Sequence, residues 1–386
     1  MKRFLLCTAC LMLLFSLCCA WAEEEELSYA SLLENTVAPA QTLVSPEENQ
    51  PVPGATLAPQ LEADGSVMVT ITAVGDVTIG RNVQHKGTSI FEKELKKQGG
   101  DINFIFRNVK DIFESDHLTI ANFEGVLADE YEIPSNKRNN SFLFLGPTGY
   151  VDAFVNNSVE AVTMENNHVG DFGEDGVQST IRTMEDAGIV WSNKGNIGVY
   201  EVQGLKIAML SYQTLNQPIS SDELKLVVDE DVVKAKQKYD LVIVSFHWGD
   251  ELDYTPKKNQ IMLGRAAIDS GADLVLGHHS HRINPIECYK GKYIVYSLAN
   301  CSFAGNNKPS DMFTFIFQTR FKVLNGEIIS NTFRIIPSRI SSRKDYNDFA
   351  ITPLENQSNI TTVLDTLAKN GRSLEYAVTN YPLDWE

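Results

Sequence analysis

Three of the chain's seven histidines fall within four positions, in Gly277-His278-His279-Ser280-His281, directly after an apolar run. Four other apolar runs end in polar clusters: Gly75-Asp76, Asn122-Phe123-Glu124, Asn166-Asn167-His168 and His247-Trp248-Gly249-Asp250-Glu251. Imidazole mixed with carboxylate and amide oxygen suits a divalent transition ion such as zinc, manganese or iron, and no cysteine is placed to build a thiolate zinc site. Each cluster alone has an ordinary explanation, because Gly-Asp is a common turn, Asn-His caps helices and a single buried histidine is usually a hydrogen-bonded core residue. Their shared place at the ends of runs is what raises the chemical reading. His85 and His117 have no such company and read as structural. Arg81 reads equally as a partner for an anionic substrate group or as half of a surface ion pair.

The runs that carry these clusters have strand character. "VMVTITAVGD", "HLTIANFEG", "VEAVTMENNH", "DLVIVSFHWGD" and "ADLVLGHHSH" are short and rich in aliphatic and β-branched residues. Helical patterns lie between them. Glu174–Ala187 sets Val177, Ile181 and Met184 on one face ahead of Gly188, and Lys257–Ser270 carries Ile261, Leu263, Ala267 and Ile268. This alternation predicts an α/β domain with buried sheets. Ligand sites in such sheets lie at the carboxyl ends of the strands, where all five clusters stand. Toward the C-terminus the pattern turns to hairpins, with Lys290-Gly291 and Asn325-Gly326 as the turns.

A chain of 386 residues, 43% apolar and 22% charged, is long enough for one large domain or two. Its net charge of −17 argues against a nucleic-acid groove, so no nucleic-acid partner is expected, and an anionic ligand needs a local site. Residues 1–22 read as a secretory signal, with Lys2 and Arg3, an apolar run and Ala20-Trp21-Ala22. An uncleaved membrane anchor, or a lipoprotein signal using Cys18 or Cys19, is the competing reading; all of them put the domain outside the cytoplasm. Residues 23–65, with nine acidic residues, five prolines and no Lys or Arg, read as a disordered linker. Residues 66–340 read as the folded domain, and 341–386 as an extension that packs on it or is partly ordered. Beyond the signal only Cys288 and Cys301 remain, and they read as two free thiols.

"AVGDVTIGR", "IANFEGVL", "NNHVGDFGEDGVQSTIRTMEDAGI", "SFHWGDELDYTP", "GADLVLGHHSHRINPIE" and "YIVYSLANCSF" occur in the order and with roughly the spacing of the bacterial CapA family of capsule and poly-γ-glutamate biosynthesis proteins. That family resembles a branch of the calcineurin-like metallophosphatases. The resemblance implies a four-layer αββα sandwich with one or two divalent transition ions across the strand ends. Asp76, Glu124, Asn167, His168, His247, His279 and His281 would be the metal-site residues. Arg81, Asn122, Glu251, His278 and Asn300 would support them or touch substrate. Between His278 and His279, the choice of His279 with His281 rests on residues two apart in an extended segment facing the same way. The sequence also departs from the wider superfamily: Asp76-Val77-Thr78 lacks the histidine of Asp-x-His, Glu124 stands for an aspartate, and Leu298-Ala299-Asn300-Cys301 replaces Leu-Gly-Asn-Phe.

The chemistry implied is metal-assisted hydrolysis or transfer at a phosphoryl or acyl centre. By analogy His168 would be the general acid and Asp171 its orienting partner. The expected partners are an anionic polymer or a small phosphoester, together with other capsule-synthesis membrane proteins. A non-catalytic surface module that guides the polymer through a metal-bridged pocket is the alternative. The sequence holds no Gly-x-x-x-x-Gly-Lys-Ser/Thr loop and no Gly-x-Ser-x-Gly elbow, which excludes a P-loop ligase and the commonest serine hydrolase.

Overall fold

Successive side chains of a strand point to opposite faces, and along Val67–Thr78 that alternation separates two cores. Val69, Ile71 and Ala73 enter a core between two sheets, while Val74 and Val77 pack with Phe91, Phe113, Phe154 and Met184 from helices outside. This is a computed structural model that describes residues 59–137, 142–215 and 217–385. The signal assigned to 1–22 and most of the linker lie outside the described residues.

The first sheet runs Thr352–Pro353, Glu327–Arg339, Phe313–Leu324, Val67–Thr78, Leu118–Phe123, Ala161–Thr163, Val190–Ser192, with Asn300–Phe303 pairing parallel to the end of Val67–Thr78. The second runs Ile286–Tyr289, Lys292–Val295, Leu274–His278, Leu241–His247, Leu205–Gln213, Gly198–Val202. Both sheets are mixed. Their central strands are parallel, and the predicted C-terminal hairpins add antiparallel edges. Helices Ser221–Lys236 and Lys258–Ser270 cover the second sheet through Val227, Val228, Val232, Leu263 and Ala267. Helix Gly173–Asp186 is among those covering the first. The result is the expected four-layer α/β/β/α sandwich. Among the described residues no helix is long and apolar enough to cross a membrane.

One boundary differs from the sequence expectation, and the C-terminal extension takes the packed form of the two expected for it. Residues 59–65, assigned to the linker, are fastened to the domain: Leu61 bridges Val67, Gln60 N–H donates to Gln203 Oε1 at 2.6 Å, and Lys322 Nζ lies 2.6 Å from Asp64. Local composition could not register Gln203 and Lys322, which lie far away in sequence. The extension 341–386 is part of the core, since helix Gln357–Asn370 inserts Val363 and Leu367 between the sheets. Cys288 and Cys301 are free, one exposed and one buried.

The segment Tyr296–Ala299 crosses from the second sheet to the first. It passes so close to two strands that a Cβ at Gly75 would stand 2.0 Å from Ala299 O, and one at Gly277 would stand 2.1 Å from Tyr296 O. Neither backbone has room to give way. Gly75→Ala or Gly277→Ala is therefore expected to cost about 3 kcal/mol or more, read as a lowered urea midpoint. A loss below about 1 kcal/mol, the level of an ordinary surface change, would show that the backbones are not in contact there.

Candidate metal centre

Strand phase decides which residues face the gap between the sheets. Leu118 and Ile120 lie in the intersheet core, which puts Asn122 in phase with them; Leu241 and Ile243 do the same for His247, and Leu274 and Leu276 for His278. Asp76 is out of phase with Ala73, and a bulge corrects it. Val74 pairs with Ala121 and Asp76 with Asn122, leaving Gly75 as an extra residue. A bulge re-aims the side chains beyond it, and here it turns Asp76 toward the second sheet.

The Asp76 carboxylate is fully buried. It accepts from Asn122 Nδ2 at 2.8 Å and from the His279 backbone N–H at 3.2 Å, and it lies 3.3 Å from His278 Nδ1 and 3.1 Å from His281 Nδ1. Glu124, also buried, has Oε1 3.6 Å from His247 Nε2 and 3.9 Å from His168 Nε2. His247 Nε2 lies 2.7 Å from Asn167 Oδ1, and its Nδ1 lies 3.3 Å from Asn122 Nδ2. A neutral ring with Nδ1 accepting and Nε2 donating satisfies both amides. His168 Nδ1 pairs with Asp171 Oδ2 at 2.7 Å, and Asp171 is held in turn by Lys137 Nζ and the Phe144 N–H, both at 3.3 Å.

Charge is divided unequally among these groups. Burial pushes Glu124 up to about 7. For Asp76, burial is outweighed by the close His278 and His281 rings, and its carboxyl is held well below the usual range. For His281, burial is likewise outweighed, by Glu124 and Asp76, and the ring is raised to about 9. Burial and the neighbouring His281 drive His279 down to about 4, while burial and His279 hold His247 well below its usual value. His168 is raised, because Asp171 and Glu124 overcome its burial.

Three sets of donors gather with their ligand atoms within 4.8 Å of one another: Asp76, Glu124 and His281; Glu124, His247 and His279; and Glu251, His279 and His281. Both Glu124 oxygens, both His278 nitrogens and His279 Nδ1 are buried without a hydrogen-bond partner among the described residues. A buried carboxylate and imidazoles without partners are costly, and a divalent transition ion is the group that such a donor set fits. When bound, the ion supplies an acidified water and stabilises negative charge developing on a substrate oxygen.

The structure thus gathers Asp76, Asn122, Glu124, Asn167, His168, Asp171, His247, His278, His279 and His281 around one centre, with Glu251 at its exposed side. Asn300 pairs in register with Asp76. Arg81 stands apart from the cluster, in a cleft of about 200 Å³ with Tyr131 and Tyr150, where it donates to Tyr131 Oη at 2.9 Å. His279 and His281 do not lie on one face of an extended segment as expected, because both residues are left-handed, at φ 90° and 54°. Nor does His278 point away, since strand phase aims it at Asp76. Sequence reasoning also missed Lys137 on Asp171, and Phe144 and Phe303, whose rings lie 4.9 Å from His168 and 5.7 Å from His281. Nothing in their spacing signals these contacts. Asn166, whose Nδ2 donates to Phe123 O and whose Oδ1 accepts from the His168 N–H, was visible inside the same cluster.

Fold and site together define a four-layer α/β sandwich with a histidine–carboxylate centre at the carboxyl ends of both sheets. Residues 70–304 match the family described as bacterial capsule synthesis protein PGA_cap, and the chain belongs to that family. It is 29% identical over 255 residues to the capsule biosynthesis protein CapA of Bacillus anthracis, covering 61% of this chain and 60% of that one. It is 28% identical over 262 residues to the PGA biosynthesis protein CapA of Bacillus subtilis, covering 64% and 66%. The chain thus spans less than two thirds of the length of either relative. A solved structure titled as a novel phosphatase from Mycoplasma pneumoniae aligns at 15% identity and a TM-score of 0.42, over 70% of this chain and 94% of that one.

Metal affinity should rise with pH. Glu124 must lose its proton to act as a ligand, and it holds that proton up to about 7. Titration of the metal-free protein with Mn²⁺ or Zn²⁺ is expected to give weaker binding at pH 6 than at pH 8, whereas a flat profile would remove Glu124 from the ligands. In the histidine stretch, His279→Ala and His281→Ala each delete a donor from two of the three sets. His278→Ala instead acts through Asp76, at a cost of roughly 10–100-fold in affinity. Equal, small effects at all three positions, with unchanged metal uptake, would mean that these histidines only fill space.

Proposed function

We propose that this is an extracytoplasmic, metal-dependent hydrolase or transferase of capsule or poly-γ-glutamate production, acting on a phosphoester or acyl group of an anionic polymer or a small phosphoester. The observation that carries the reading is the buried, unpartnered Glu124 carboxylate, faced by His168 and His247 and standing in two donor sets at once. Asp76, Glu124, His247, His279 and His281 would hold the ion, with Asn167 beside His247. Membership of the capsule synthesis family and the names of the Bacillus relatives support the cellular setting. The N-terminal signal pattern supports the location, where other capsule-synthesis membrane proteins are the expected partners.

His168 is the proton donor in this scheme. Asp171 holds Nδ1, leaving Nε2 toward Glu124 and the substrate side, and Asp171 and Glu124 outweigh burial to raise the ring's hold on its proton. Lys137 and the Phe144 N–H fix Asp171, so the ring cannot swing. Asn122 and the His279 N–H hold Asp76 in place for His281. Phe144 and Phe303 flank the two imidazoles and exclude water from that side.

The test is turnover of bis-p-nitrophenyl phosphate by the Mn²⁺-loaded protein. His247→Ala is expected to abolish it, and His168→Ala to lower it by roughly 10²–10⁴-fold as a lost general acid does, with circular dichroism unchanged in both. No turnover by the metal-loaded wild type, or full turnover by His247→Ala, would overturn the catalytic reading and leave a polymer-binding role.

A further inference from the structure

Glu251 has no part in the scheme above. It sits in a loop between Gly249, at φ 83°, and Leu252, at φ 65°, two left-handed positions that bend the chain back over the centre. That loop is tied to the histidine segment. Leu252 N–H donates to Ser280 O at 2.7 Å, Trp248 N–H to His278 O at 3.4 Å, and Asn284 Nδ2 to Asp253 O at 2.9 Å. The neighbouring acids are already engaged, since Lys257 Nζ lies 3.1 Å from Asp250 and 2.8 Å from Asp253. Glu251 makes no hydrogen bond or ion pair among the described residues, yet its carboxylate gathers with nitrogens of His279 and His281 within 4.8 Å. His279 is only 5% exposed, and its Nδ1 has no partner.

We propose that Glu251 is itself a metal ligand, a carboxylate on a tethered surface loop that closes over an ion held by His279 and His281. This rests on the metal reading of the centre and adds a donor to it. Imidazole brings no charge to a dication, and His279 and His281 are the only other donors in that set, so an anionic oxygen from the open side improves both coordination and charge balance. Glu251 is also exposed, unlike Asp76 and Glu124. It is the one carboxylate of the three that can leave the ion without stranding a buried charge, which makes it the donor an incoming substrate oxygen displaces.

Calorimetric titration of the metal-free full chain with Mn²⁺ and with Zn²⁺, in the wild type and Glu251→Gln, tests this without recourse to activity. Glutamine keeps the size and removes the charge. The expected result is one class of ion bound about tenfold or more weakly, as loss of a metal-site group produces, while the melting temperature of the metal-free protein stays unchanged because Glu251 supports nothing else. Glu251→Asp, which keeps the charge on a shorter arm, is expected to fall between the two. Wild-type binding matched by Glu251→Gln would overturn this inference alone, whereas a wild type that takes up neither metal would overturn the metal reading along with it.

Discussion

Backbone meets backbone at Gly75 and Gly277, and the candidate centre depends on that contact. Asp76 N–H donates to Ala299 O at 2.9 Å and Leu298 N–H to Gly277 O at 3.2 Å, so one crossing segment stitches the carboxyl ends of both sheets together. Each glycine immediately precedes a residue of the centre, Asp76 on one sheet and His278 on the other. With any side chain at either position the sheets would splay at the end where the centre sits, and the 3.1–3.3 Å approach of Asp76 to His278 and His281 would be lost. The same crossing segment receives the Trp248 indole, whose Nε1 donates to Tyr296 O at 2.9 Å, anchoring the loop that carries Glu251.

Around that stitch the intersheet core changes character along its length. It is aliphatic and aromatic through Ile71, Ile243, Leu276 and Phe315, and turns polar at Thr163, Ser245, Asn122 and His247 near the strand ends. Burial makes that polarity consequential. Asp76 stays charged because two hydrogen bonds and two close imidazoles face it, while Glu124, equally buried, accepts no hydrogen bond and rises to about 7. Two carboxylates in one site thus hold opposite preferences for a proton, and the imidazoles divide in the same way, with His281 at about 9 and His279 at about 4. A dication inverts those preferences, since it favours ionised carboxylates and neutral rings, so proton release should accompany its binding.

Much of this was legible in the residues. The five strands, the two helices at 173–186 and 258–270, both hairpin turns and the clustering of five histidines follow from period-two and period-3.6 patterns that local chemistry imposes. Strand phase even makes His278 an inward residue, a count that the apolar positions Leu274 and Leu276 permit from sequence. The Gly75 bulge was not legible, because one inserted residue looks the same as an ordinary strand glycine until the neighbouring strand is in place. Arg81 was misleading for the opposite reason. Its nearness in sequence to Asp76 suggested a shared site, but pairing of Arg81–Asn82 with Phe144–Gly146 carries it into a separate cleft.

Alternation and chain punctuation, which are properties of consecutive residues, were enough to say which side chains reach the strand ends. Tertiary structure alone decided how those side chains meet. The placing of Lys137, Phe144 and Phe303 against Asp171, His168 and His281, and the fastening of residues 59–65 to Gln203 and Lys322, all join positions distant in the chain. Such contacts depend on where two sheets come to rest against each other, and that is set by the packing of the whole core rather than by any local run of residues.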